Sequence, residues 1–444
     1  MVSNPYKARH LPVTDPHTLA AFWAGQNRFY IRGVDYQPGG SSQAADPLAD
    51  VAGCTRDIAE FKKLGINTVR VYTVDNTANH DQCMAALANA GIYLALDVNT
   101  PNYSINRGNP GPSYNAVYLQ SIFATMDAFA NYSNTLLFFS GNEVINNDNN
   151  TNCAPYVKAV TRDMKQYRTS RGMRAIPIGY SAADVSSNRY ELAEYMNCGT
   201  DDQRSDFFAF NDYSWCDPNT FVGSGWSQKV QTYMNYSIPL FLSEYGCNTG
   251  SGGRQFQEVA ALYNTEMTSV YSGGLVYEYS EEGSNFGLVT INGNSVTEKS
   301  DFSALQTALK NTQPPSGDGG YQSNNQPATC PATSSTWQVT AFTGENLPAI
   351  PSGAVQYMKN GAGKGPGLTG DGSQNAGGAS SGTATPGSGS ATVQVTGASS
   401  TSSSSSTSTH KGSAAGLTPP QMSYGAFATI AVMFASSMFG ALLL

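Results

Sequence analysis

Short runs of large apolar residues punctuate this chain, with longer stretches of mixed polarity between them. Thr135–Gly141 and Pro239–Ser243 are the clearest runs. Continuous apolarity over such a length reads as a strand buried on both faces, as in a parallel sheet. Eight segments are candidate strands: Phe29–Tyr36, Thr68–Val74, Tyr93–Val98, Leu136–Gly141, Ala175–Tyr180, Phe207–Asn211, Leu240–Ser243 and Leu275–Tyr279. Helices are predicted between them, among others at Cys54–Leu64, Gln82–Ala90, Tyr114–Ala130 and Gln255–Thr268. Gly65 and Gly91 each close a helix just before a strand begins, the usual helix-to-strand junction. Eight strand–helix units over about 250 residues predict a closed (β/α)8 barrel of the α/β class. A doubly wound open sheet is the alternative. It needs a glycine-rich phosphate loop after the first strand, and Asp35-Tyr-Gln-Pro-Gly-Gly40 lacks that pattern.

Two of the runs stop abruptly at a glutamate: Ser140-Gly-Asn142-Glu143 and Leu242-Ser-Glu244-Tyr-Gly246. On the strand count Glu143 ends strand four and Glu244 ends strand seven. The C-terminal ends of barrel strands form the mouth where catalytic groups sit. Two carboxylates there are equipment for glycosidic bond chemistry. The side-chain amide of Asn142 is placed to hydrogen-bond a sugar hydroxyl. Gln37, Tyr72, Asp97, Tyr213 and Tyr279 stand at or just beyond other strand ends and complete the candidate cleft. Tyr277 and Tyr279 alternate with Glu278, so which tyrosine faces the lumen depends on the register. Glu281 and Glu282 read as loop or subsite residues.

Composition narrows the function. The net charge is −8 and only 13% of residues are charged, a poor footprint for nucleic acid. The 25 Tyr and 19 Phe suit a cleft that stacks on uncharged rings, besides filling a core. Four histidines, at 10, 17, 80 and 410, lie far from the glutamates in sequence, which argues against a histidine triad or a zinc site. No metal or other cofactor is expected.

The two ends read differently from the middle. Residues 1–28 carry no secretion signal and read as a mispredicted or truncated start. Residues 361–416, nearly all Gly, Ser, Thr and Ala, read as a disordered stalk suited to O-glycans. Small residues at Gly412–Ala415, a polar spacer at Leu417–Ser423 and an uncharged apolar tail at Ala426–Leu444 follow the order of a GPI-attachment signal, with Ser413 as the candidate site. An ordinary C-terminal membrane helix is the alternative. Seven cysteines without a CxxC pair fit a secreted, disulfide-bonded protein, as do sequons at Asn102, Asn131, Asn149 and Asn235.

Several motifs in order resemble glycoside hydrolase family 72, the fungal GPI-anchored β-1,3-glucanosyltransferases of the cell wall. They are Phe29-Tyr-Ile-Arg-Gly-Val-Asp-Tyr-Gln-Pro38, Asp46-Pro-Leu-Ala-Asp50, Cys54-Thr-Arg-Asp57, Asn67-Thr-Val-Arg-Val-Tyr72, Ser140-Gly-Asn-Glu143-Val, Leu242-Ser-Glu244-Tyr-Gly-Cys247 and Tyr279-Ser-Glu-Glu-Gly-Ser-Asn-Phe-Gly-Leu288. The resemblance covers about residues 29–330. It implies a barrel over 29–312, a segment at 313–360 tied back by Cys330, the stalk, and the signal at 417–444. It implies Glu143 as acid/base and Glu244 as nucleophile of a retaining pair. It also implies disulfides Cys54–Cys83, Cys198–Cys330 and Cys216–Cys247, leaving Cys153 unpaired. The cysteine-rich carbohydrate-binding module of some members is absent, since no cysteine follows Cys330. The expected partners are donor and acceptor β-1,3-glucan chains and, through a GPI lipid, the outer face of the plasma membrane; a monomer is expected. An endo-β-1,3-glucanase with water as acceptor and an inert glucan-binding wall mannoprotein are the competing functions.

Overall fold

The computed structural model describes residues 12–13 (backbone only), 21–25, 27–322 and 326–384. Residues 385–416 of the expected stalk, Ser413 and the 417–444 signal lie outside them.

Eight strands form the expected barrel: β1 (Ile31–Asp35), β2 (Thr68–Val71), β3 (Tyr93–Asp97), β4 (Thr135–Asn142), β5 (Ile178–Ala183), β6 (Phe207–Asp212), β7 (Leu240–Tyr245) and β8 (Tyr271–Val276). Each pairs in parallel with its sequence neighbours, and β8 pairs with β1 to close the ring. Among the helices around it are α1 (Val51–Leu64), α2 (Asp81–Asn89), α3 (Ala116–Phe129), α4 (Ala154–Ser170) and α5 (Arg189–Asn197). Their ends follow from local chemistry. Asp50 caps α1 by accepting from the Gly53 N–H, Gly65 closes it at φ 72°, and Lys62 and Lys63 lie in its last turn, where cations are favoured. Asn115 caps α3 through the Tyr118 N–H at 2.9 Å.

The helices and the outer strand faces bury one large apolar core. A second, smaller core fills the barrel interior, built from Phe22, Ile31, Leu137, Phe139, Phe207 and Phe241 with their neighbours. Phe22 stands edge-on to Phe241 at 5.8 Å. Burying such a ring contributes roughly 1.5–3 kcal/mol. Phe22, nine positions ahead of Ile31 at the start of β1, belongs to the barrel's own packing, so that packing reaches back before residue 29.

Two strands are displaced from their expected positions. The fifth runs over 178–183 rather than 175–180, because Pro177 has no N–H to give the ladder. The eighth runs over 271–276 rather than 275–279, through Gly273 and Gly274. Gly273 has φ 89°, and a Cβ there would lie 2.1 Å from the Ile31 carbonyl oxygen. Its glycine serves close strand approach, which from sequence reads as a break. The helix expected at Gln255–Thr268 is split into Glu258–Leu262 and Thr265–Thr268, with Asn264 capping the second piece.

The disulfides Cys54–Cys83, Cys198–Cys330 and Cys216–Cys247 are formed, and Cys153 is free and buried. Beyond the barrel, Leu347 pairs with Ala384. The chain between them includes a helical turn at Val355–Asn360 and lies on α3 and α4. The expectation of a stalk beginning at 361 is thus corrected for 361–384, which is packed against the barrel. Among the described residues no helix is long and apolar enough to cross a membrane.

Candidate active site

Both glutamates sit beside slips in strand pairing. The register of β4 against β5 shifts between Phe139 and Asn142, and that of β7 against β6 between Leu242 and Glu244. A strict period of two, with Phe241 and Ser243 inward, would turn Glu244 outward. The slip re-aims it, a common use of bulges near active sites. Tyr245 accordingly packs in the outer core.

Glu244 is 7% exposed and both of its carboxylate oxygens are held. Oε1 accepts from the Tyr72 hydroxyl at 2.8 Å and from Arg70 Nη1 at 3.2 Å; Oε2 accepts from the Tyr213 hydroxyl at 2.6 Å. Arg70 is wholly buried and also grips Asp97, with Nε at 2.8 Å and Nη2 at 3.2 Å. Burial pushes the Glu244 carboxyl up to about 7. Arg70 opposes that shift, the Glu143 carboxylate reinforces it, and the two tyrosine hydroxyls oppose it. Asp35, buried with neither oxygen hydrogen-bonded, is pushed well above the usual carboxylate range by burial. One guanidinium thus faces several carboxyl groups in the upper lumen.

Glu143 follows β4 directly and adopts a left-handed backbone with φ 48°, a conformation that costs a non-glycine residue on the order of 1–3 kcal/mol. Three hydrogen bonds hold it. Its N–H donates to the Ser181 carbonyl at 2.9 Å, its carbonyl accepts from Arg107 Nη2 at 2.7 Å, and its Oε1 accepts from Asn211 Nδ2 at 2.8 Å. Asn142 joins the same network through its Oδ1, which accepts from Ser181 Oγ at 2.7 Å and Asn211 Nδ2 at 3.1 Å. Ser243 Oγ completes it, 2.8 Å from Asn211 Oδ1 and from Ser181 Oγ.

Of the predicted cleft residues, Tyr72, Asp97, Asn142 and Tyr213 meet around the two glutamates. Gln37 is buried beside them and spends its amide on the protein: Oε1 accepts from the Tyr72 and Thr73 N–H groups, and Nε2 donates to the Ala45 carbonyl. Tyr279 is turned away. Its hydroxyl donates to Asp57 at 2.8 Å and its ring packs on Phe61 and Tyr36, behind the barrel wall. Tyr277 takes the cleft side, forming a half-buried aromatic cluster with Tyr213 and Phe286. Glu281 braces its own loop, accepting from the N–H groups of Gly283 and Asn285, whereas Glu282 accepts from the Gly39 N–H of the β1–α1 loop. Sequence reasoning passed over Arg70, Ser181 and Asn211. Each is a polar residue inside an apolar strand, and Arg70 has the same parity as Tyr72. That was the available signal. Among the described residues, no group of three or more His, Cys, Asp or Glu side chains could hold a metal ion.

A closed parallel barrel with two electrostatically linked carboxylates at its mouth defines a framework for glycosidic bond chemistry. The chain belongs to the glucanosyltransferase family, glycoside hydrolase family 72, whose model matches residues 15–313. It is 64% identical over 422 residues to the 1,3-beta-glucanosyltransferase gel1 of Aspergillus fumigatus, covering 95% of this chain and 91% of that protein. It is 55% identical over 338 residues to 1,3-beta-glucanosyltransferase GAS5 of Saccharomyces cerevisiae, covering 76% and 69%. A crystallised mutant of Saccharomyces cerevisiae Gas2p, in complex with laminaritetraose and laminaripentaose, is 37% identical, with a TM-score of 0.66 over 72% of this chain and 71% of that one.

Proposed function

We infer that this protein is a cell-wall 1,3-β-glucanosyltransferase: it cuts internal β-1,3-glucan linkages and transfers the new reducing end to the non-reducing end of another glucan chain. The observation that carries this reading is the contrast at the barrel mouth, where one carboxylate is gripped on both oxygens and the other is held chiefly by its backbone. Family membership and the relatives' shared activity support it.

In the proposed mechanism the two carboxyl groups hold one proton between them, since like charges at close range resist joint ionisation. The reactive form of the pair has Glu244, with its three donors, ionised and the proton on Glu143; burial, which raises the Glu244 carboxyl to about 7, limits the share of that form at lower pH. Glu143 gives its proton to the glycosidic oxygen while Glu244 attacks the anomeric carbon. The leaving chain departs with its new hydroxyl, and the sugar remains as an ester on Glu244. Glu143, now a carboxylate, takes the proton of an incoming sugar hydroxyl. That oxygen attacks the anomeric carbon, and Glu244 leaves as a carboxylate. The Asn142 amide nitrogen remains available to a sugar hydroxyl, since the oxygen is occupied, and Tyr213, Tyr277 and Phe286 offer ring faces to the chain.

Incubation with a reduced laminari-oligosaccharide tests the reading. Products longer than the donor are expected on a chromatogram. Shorter products alone would instead identify an endo-β-1,3-glucanase, and unchanged substrate an inert glucan-binding protein. We further propose a GPI anchor near Ser413, from the order of small residues, spacer and apolar tail. A phosphatidylinositol-specific phospholipase should release the protein from intact cells. Resistance, with the peptide Tyr424–Leu444 retained, would overturn that proposal.

A further inference from the structure

The loop from β3 to α3 lies across the barrel mouth, and its Arg107 donates to the main-chain carbonyl of Glu143 at 2.7 Å. The flank of this loop is held from outside the barrel by residues 361–384. The Gly372 N–H donates to the Tyr103 hydroxyl at 3.2 Å, the Ser373 N–H to the Asn102 carbonyl at 2.9 Å, and Gln374 Nε2 to the Ser104 carbonyl at 2.7 Å. At the end of the loop Asn115 Nδ2 donates to the Ser373 carbonyl at 2.6 Å. The segment is anchored at both ends. Gly367 N–H donates to Asn76 Oδ1 at 3.0 Å, and Ser380 Oγ donates to the Ala349 carbonyl at 2.6 Å. Its glycines permit this contact: a Cβ at Gly370 would stand 2.1 Å from the Tyr103 hydroxyl oxygen. A stretch whose composition reads as a flexible stalk is here a strap fitted to one loop.

We infer that residues 361–384 are a positioning element of the active site, which clamps the β3–α3 loop so that Arg107 stays on the Glu143 carbonyl and fixes the left-handed backbone of that residue. The inference rests on the assignment of Glu143 as acid/base. Neither strap nor Arg107 touches the reacting atoms; both act through Glu143.

Gly370→Ala in the full-length secreted protein tests it, since the new methyl group displaces Tyr103. The expected result is a kcat for transfer lowered about tenfold, with KM within about twofold. Tyr103→Phe in the same chain removes the nearer obstruction, leaving Pro366 Cβ at 2.8 Å, and should recover part of the lost kcat, about threefold or more. Arg107→Met should lower kcat to a similar degree, and Arg107→Lys, which keeps a donor, should lower it less. Combining Gly370→Ala with Arg107→Met should cost no more than either alone, because both break one linkage. Losses that multiply, or a folded Gly370→Ala protein with wild-type kcat, would overturn the inference. If Gly370→Ala does not accumulate, Tyr103→Phe alone decides. It lacks only the acceptor for Gly372, and its small kcat loss should vanish in the Arg107→Met background; a loss that persists there overturns the inference. The two readings fail separately. Activity retained by Glu143→Gln removes the acid/base assignment, whereas an inactive Glu143→Gln beside wild-type Arg107→Met removes only the strap's role.

Discussion

Glu143 and Glu244 are the same residue type at equivalent ends of two strands, yet the barrel restrains them in opposite ways. Glu244 is restrained through its charge: a buried guanidinium and two hydroxyls meet its two oxygens, which fixes the carboxylate plane. Glu143 is restrained through its main chain, by the Ser181 and Arg107 contacts and φ 48°, while its carboxylate has a single amide donor. A nucleophile benefits from a fixed anion. A group that must release a proton and take one back benefits from a fixed origin and a less encumbered carboxyl. The difference in surroundings supports the difference in task proposed for the two groups.

The sharpest way to break this comparison is to remove each carboxylate. We predict that Glu143→Gln and Glu244→Gln each lower transfer by at least about 10³-fold with the fold intact. They should then separate on a donor with a good leaving group, such as a laminarioligosyl fluoride. Glu143→Gln should still release fluoride in a burst, and Glu244→Gln should not. Equal behaviour would undo the assignment of roles.

Next in size are the donors to Glu244. Tyr213→Phe and Tyr72→Phe each delete a hydrogen bond to a charged group, worth about 1.5–3 kcal/mol. The hypothesis is a fall in kcat of roughly ten- to a hundredfold for each, measured on one laminari-oligosaccharide. A change under twofold in both would mean that the charge of Glu244 is not held as described.

A third prediction uses pH. The Glu244 carboxyl lies at about 7 in the folded protein against 4.5 ordinarily. Between those values the folded state binds more protons than the unfolded state, so this group's stabilising contribution is complete below 4.5 and is lost as pH rises through 7. Glu244→Gln should remove that loss. Its stability relative to wild type should grow between pH 4.5 and 7 by on the order of 2–3 kcal/mol. Denaturant titrations at the two pH values measure it, and a gap that stays constant would contradict the shift.

Smallest of all is Tyr279→Phe. Its hydroxyl serves Asp57 rather than the cleft, so the expected cost is about 1 kcal/mol of stability with kcat within twofold. A large drop in kcat with unchanged melting would place Tyr279 in the cleft after all.

The barrel and the position of both glutamates at its mouth were legible in the sequence because apolar runs ending in a carboxylate have few other readings. The misses share a physical origin. Tyr279 and Tyr277 differ by two positions, and irregular backbone after β8 decides which faces inward, so alternation along the chain could not choose. Gln37 was placed beside the site, but its amide is consumed by the Tyr72 and Thr73 N–H groups, contacts that only tertiary structure supplies. Gly370 falls within the expected stalk, and Gly273 falls ahead of the expected eighth strand. Both are points where another atom approaches too closely for a Cβ. Composition reports how many conformations a glycine permits, and it is silent about which neighbour requires one.

The three donors around Glu244 also bear on the energetics of glucan growth. In the proposed mechanism the Glu244 carboxylate becomes an ester, the acceptor strength of its oxygens falls, and Tyr72, Tyr213 and Arg70 lose much of their interaction until the sugar departs. The ester is therefore poised to break, and its carboxylate is a good leaving group. In the proposed reaction one β-1,3 linkage is spent and an equivalent one is made, so the bond energy passes through the enzyme and is conserved. An enzyme built this way can redistribute chain length outside the cell, beyond the supply of nucleotide-activated sugar, with the substrate polymer as its own fuel.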